Sequence, residues 1–135
     1  MTSGLGGAIA GAPSLHHVAV GTRDVEGLAR FYAQLLRASE QKRHTDEAGL
    51  RSIWLDLSGV LLMIERTESP PPAPAQGVGL GAFLLAFRAD SSERAAFEAR
   101  ADELGAAIED RSAFTSYLRD PDGNRIAVSE YRVSE

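Results

Sequence analysis

An α+β fold built from two βαβββ modules in tandem is what the sequence predicts, on three observations. A strand pattern, a helical pattern and about three further strand patterns precede a proline-rich stretch. The same order of elements recurs after that stretch. Val20, Asp24 and Phe31 find counterparts in Ala86, Asp90 and Phe97 at a constant offset of 66 positions, an internal repeat carried by a few anchors. The whole chain, 135 residues and 14.4 kDa, is one domain's worth of sequence.

Each element follows from local chemistry. Positions 1–14 are rich in Gly and Ala and read as a flexible arm, because ordering them costs much entropy for little burial. The first module is expected over 15–67. Its first strand spans 15–20 and stops at Gly21. Asp24 or Thr22 caps a helix in which Val25, Leu28, Ala29, Tyr32, Leu35 and Leu36 recur at helical spacing. No glycine marks its end, but Arg37 suits the helix dipole there. A short edge over 41–45 follows, then an alternating strand over 50–57, the Ser58-Gly59 turn, and a strand over 60–64 that ends at Glu65.

The segment 68–79 carries Pro70, Pro71, Pro72 and Pro74, then a run of glycines. Too few amide hydrogens and fixed dihedrals exclude a helix or central strand, so it is a semi-rigid linker rather than an SH3-type ligand. The second module is expected over 80–132. It opens with a strand over 82–87, and Asp90 with Glu93 forms a capping-box signal for a helix that closes at Gly105. Extended pieces follow from Ile108 and over 114–118. Asp120-Pro121-Asp122-Gly123-Asn124 is a strong turn, in which Asp120 and Asp122 are structural. The closing strand covers 125–131.

Composition removes several function classes. There is no cysteine, which excludes disulfides, thiolate-bound zinc, iron–sulfur clusters and a cysteine nucleophile. The balance of 14 Lys plus Arg against 19 Asp plus Glu gives a charge of −5, and the arginines form no basic stripe, so nucleic acid is not the expected partner. The N-terminal arm has no Lys or Arg and no long apolar run, so it does not read as a secretory signal. No apolar run is long enough to span a membrane, and the cytoplasm is the expected location. Neither a phosphate-cradling loop with a lysine nor a serine nucleophile elbow is present.

Three segments resemble the vicinal oxygen chelate superfamily, which includes glyoxalase I, fosfomycin-resistance enzymes, extradiol dioxygenases and bleomycin-resistance proteins. They are Leu15-His16-His17-Val18-Ala19-Val20-Gly21-Thr22-Arg23-Asp24 with Phe31-Tyr32 and Leu35-Leu36, then Ile64-Glu65, and Leu118-Arg119-Asp120-Pro121-Asp122-Gly123-Asn124-Arg125-Ile126. The resemblance spans 15–131 and implies a cupped mixed sheet, often completed by a second copy of the chain, hence a homodimer. In metal-using members four strand positions supply ligands. Here they fall on His17, Glu65, Ala82 and Ala127. Alanine has no donor atom, and the chain has no His after Gly77, so half the expected shell is missing. Glu130 points to the opposite face of a regular strand unless a bulge intervenes, as does His16 relative to His17, and nothing in the spacing places His44 in the cup.

The resemblance therefore implies a small-molecule-binding protein of the glyoxalase/bleomycin-resistance type without the usual metal centre and with no cofactor. A divergent metal-dependent lyase or dioxygenase using His17 and Glu65 is the alternative, as is metal-free acid–base catalysis by either residue. A cup closed over with side chains is a third reading. Trp54, the sole tryptophan, is either core or a stacking wall for a flat ligand, and Tyr117, Arg119 and Phe114 are the expected cup-rim residues.

Overall fold

The structure is a computed structural model that describes residues 11–73 and 76–132. Positions 1–10 of the expected arm and 74–75 of the linker lie outside the described residues. The chain runs β1 (His17–Thr22), α1 (Val25–Leu36), β2 (Ser39–Asp46), β3 (Gly49–Asp56), β4 (Leu61–Arg66), β5 (Leu85–Arg88), α2 (Ser91–Glu103), β6 (Asp110–Arg111), β7 (Thr115–Arg119) and β8 (Arg125–Ser129). This is βαβββ twice. The strands form two four-stranded sheets, ordered β1-β4-β3-β2 and β5-β8-β7-β6, each with one parallel pair and two antiparallel pairs.

Caps fix the helices as the sequence dictates. The Asp24 carboxylate accepts from the Gly27 amide at the start of α1. Asp90 and Glu93 close a reciprocal capping box at the start of α2. Helix α1 ends without glycine because Arg37 itself takes the left-handed conformation, φ 54°. At the end of α2, Gly105 takes the positive φ one position beyond the cap at Leu104. The strand expected over 82–87 is shorter and later: 82–84 precede β5.

One core joins both modules. Leu28, Tyr32 and Leu35 of α1 pack with Ile53, Leu55, Leu62 and Ile64 of the first sheet, and the same cluster continues into Phe97, Ala101, Leu118, Ile126 and Val128. Polar links also cross between the modules. The Tyr32 hydroxyl donates to Asp120 at 2.6 Å, and Arg100 Nε donates to the Leu35 carbonyl at 2.8 Å, satisfying an acceptor in the last turn of α1. The Asp120 carboxylate also accepts from the amides of Asp122 and Asn124 and from the Asn124 side chain, so the turn is structural, as its sequence implies.

A second network fastens α2 to its sheet. Arg94 reaches Glu130 at 2.9 Å and Ser116 at 2.9 Å, while Glu98 accepts from Arg111 and from the Ser116 hydroxyl. The Arg111 guanidinium, with the Ser116 hydroxyl adding to it, holds the Glu98 carboxyl below the ordinary glutamate range. A depressed folded pKa means stability present at neutral pH is lost as pH falls through that value. Glu98→Gln should therefore flatten the fall in stability below about pH 4.5, as read from denaturant midpoints across an acid series.

Candidate functional site

Register decides which side chains share the sheet faces that α1 and α2 leave open. Residues directly opposite in a ladder point the same way. Ile53 opposite Ile64 faces the core, so the alternate residues form the open face of the first sheet in three rows. The rows are His17, Leu61, Asp56 and Ser39; Ala19, Met63, Trp54 and Lys42; Gly21, Glu65, Ser52 and His44. His17, Trp54 and Glu65 thus lie on one face. Trp54 is half-buried, with its ring centroid 4.8 Å from that of His44. Trp54 Nε1, Ser52 Oγ and His44 Nε2 are all buried without a hydrogen-bond partner among the described residues. The place of His44 is not readable in the sequence because an irregularity in β2 next to it breaks simple alternation.

The second sheet has the matching face. Ala86, Ala127, Tyr117 and Asp110 form one row, flanked by Arg125 with Arg119 on one side and Arg88, Ser129 and Thr115 on the other. The Arg125 guanidinium carbon stands 4.5 Å from the Tyr117 ring centroid. Arg119 is held by Glu109 at 3.2 Å and by the Gly123 carbonyl at 3.0 Å. Phe114 lies outside these rows, in the β6–β7 turn, with its ring against Tyr131 at 5.3 Å.

Between the modules lies a cleft of about 810 Å³, walled by the β1 stretch 18–21, Tyr32, the linker and the turn into β8. Arg119 and Arg125 line it, whereas His17, Trp54, Glu65, Phe114 and Tyr117 do not.

The residues do not fit a divalent ion. His17 is opposite Leu61, while Glu65 lies four positions further along β4, opposite Gly21, so the two are about 13 Å apart along the sheet. A single metal sits about 2 Å from each ligand and reaches only one of them. His17 is exposed and shares a hydrogen with His16 across 2.9 Å between the two Nδ1 atoms. Ala82 lies outside β5, and Ala127 is fully buried. Glu130 is engaged by Arg94. Among the described residues no three His, Asp or Glu side chains are grouped to hold an ion.

The structure also refines the repeat. Helix anchors Asp24 and Asp90 are 66 positions apart, but the core-facing strand residues Val20 and Phe87, which face Ile64 and Val128, are 67 apart. The second module is one residue shorter between strand and helix. By face and row, Leu84 rather than Ala82 corresponds to His17, and Met63 rather than Glu65 corresponds to Ala127.

The glyoxalase-like domain family model matches residues 17–129. A glyoxalase/dioxygenase from Nostoc punctiforme has the same fold, with a TM-score of 0.76 and 22% identity over 93% of this chain and 95% of that one. The fosfomycin resistance protein FosX from Listeria monocytogenes matches with a TM-score of 0.73 and 17% identity over 90% and 94% of the two chains. Lactoylglutathione lyase from Agrobacterium tumefaciens matches with a TM-score of 0.66 and 18% identity over 89% and 95%. No curated protein sequence matches the chain. At these identities the structures establish the fold and leave the activity to the site itself. No described helix is long and apolar enough to cross a membrane.

Proposed function

The chain belongs to the glyoxalase-like domain family, and from that premise we propose that it binds a small, flat organic molecule on its open sheet faces without a metal centre. One observation carries this reading. The middle rows of the two faces have the same make-up: small or apolar residues, Ala19 and Met63 or Ala86 with the buried Ala127, followed by a single aromatic, Trp54 or Tyr117. A shallow floor beside an aromatic wall suits stacking of a planar ring. His17 and Glu65 flank the Trp54 row and supply a hydrogen-bonding edge on either side, in a binding role. Arg119 takes the same role beside Tyr117, and Phe114 is an outer rim contact.

A homodimer is the assembly this reading requires. The open faces expose Leu61, Met63 and Trp54 only in part, and pairing them across two copies would enclose the ligand. Titration calorimetry with the neutral aromatic probes quinoline and benzamide tests the binding, and sedimentation velocity tests the assembly. Saturable heat with near-integral stoichiometry is expected, reduced in Tyr117→Ala and lost when Trp54→Ala is added, together with a dimer boundary. No heat from either probe would overturn the binding reading, and a monomer would overturn the enclosed cup.

A further inference from the structure

We propose that the cleft between the two modules binds the anionic group of a small organic molecule, a carboxylate or a phosphonate, with Arg125 as its charge partner. The proposal rests on the small-molecule reading above and specifies the ligand's charge.

Arg30, Arg37, Arg51, Arg88 and Arg132 are exposed to water, whereas Arg125 is the partly buried arginine that lacks an acceptor among the described residues. Arg43, Arg66, Arg94, Arg111 and Arg119 each meet a carboxylate. Arg23 and Arg100 donate to main-chain carbonyls. Arg125 is partly withdrawn from solvent, yet it has no acceptor among the described residues, and its Nε is buried without a partner. In a chain with 19 carboxylates and a charge of −5, that isolation does not reflect a shortage of acids. A guanidinium partly removed from water without an acceptor is costly unless a bound anion offsets the loss.

The surroundings suit such an anion. The Tyr117 ring underlies the guanidinium carbon, and the terminal nitrogens can donate in the paired geometry that carboxylate and phosphonate oxygens accept. Ala19, Gly21 and Gly123 line the cleft with little side-chain bulk. Among the described residues β1 is an edge strand paired only with β4, so its outward amides are further donors along the same wall. Asp122 also lines the cleft, but it is exposed and forms no ion pair with Arg125. Arg119 is already partnered and serves as a neighbour of like charge rather than as the primary contact.

The test compares probes of one shape and different charge: benzoate, phenylphosphonate and neutral benzamide, titrated calorimetrically into the full chain and into Arg125→Gln and Arg125→Lys. Benzoate or phenylphosphonate should bind at least about 10-fold more tightly than benzamide, and their ratio identifies which oxyanion the cleft prefers. Arg125→Gln should erase that preference and Arg125→Lys should keep part of it. Equal binding of benzamide and the anions would overturn the anion site while leaving the small-molecule reading intact. Failure of every probe to bind would overturn both. Anion binding unchanged in Arg125→Gln would overturn the role of Arg125, as would a variant that shifts only the sedimentation boundary, which would assign the guanidinium to a contact between copies.

Discussion

Asp120→Ala should cost about 3–5 kcal/mol of stability, because its buried carboxylate leaves behind the Tyr32 hydroxyl and the amides of residues 122 and 124, each unsatisfied donor costing about 1–3 kcal/mol before water rescues part of it. Asp120 is 4% exposed and Tyr32 is 0% exposed, so little water reaches them. For a chain of this size the loss corresponds to a melting point lower by about 10 °C or more. Tyr32→Phe removes one charge-assisted bond and should cost less, about 1.5–3 kcal/mol. The double variant should cost less than the sum of the two, since they share one interaction. Guanidinium unfolding followed by circular dichroism reads all three, and an Asp120→Ala midpoint equal to that of the parent chain would refute the account. Alkali adds an independent check. Burial first, and the Asp120 carboxylate next, push the Tyr32 phenol above its ordinary value of 10. A raised folded pKa gives stability that is complete below pH 10 and declines as pH rises beyond it. Tyr32→Phe should abolish its share of that decline.

Trp54→Ala should weaken binding of quinoline on the first sheet by at least about 30-fold, the cost expected when an aromatic wall is truncated at the centre of a contact. Trp54→Phe should restore most of it, because the ring face rather than Nε1 does the stacking. Calorimetry is the readout, since the variants lack the chain's only tryptophan. Retained far-ultraviolet dichroism separates lost binding from lost folding. Unchanged affinity in Trp54→Ala would place the aromatic probe elsewhere.

The family's metal chemistry would require His17 and Glu65 to converge, and the parallel ladder of β1 on β4 keeps them four positions apart. That separation is a property of backbone hydrogen bonding, so no rotamer change closes it. The same ladder puts Glu65 beside Ser52 and Gly21, and so assigns it to the Trp54 face, two rows away from Asp56.

What the sequence determined by itself is the local grammar. Asp24, Asp90 with Glu93, Gly105 and the Asp120–Asn124 turn each act within a few residues, so helix starts, one helix stop and the last hairpin are legible from short stretches of sequence alone. The order βαβββ twice follows from those signals, as does the division at the prolines. Tertiary structure alone decided the register. Irregularities in β2 set His44 against Trp54, and the pairing of β5 with β8 puts Leu84, rather than Ala82, in the row that corresponds to His17. It also decided that Asp120 would hold Tyr32 from 88 residues away, and that Arg125 would be left without an acceptor among the described residues beside Tyr117. Side-chain alternation has a period of two, so a one-residue shift exchanges the buried and open faces. Only ladders between distant segments fix that shift, and the site depends on it.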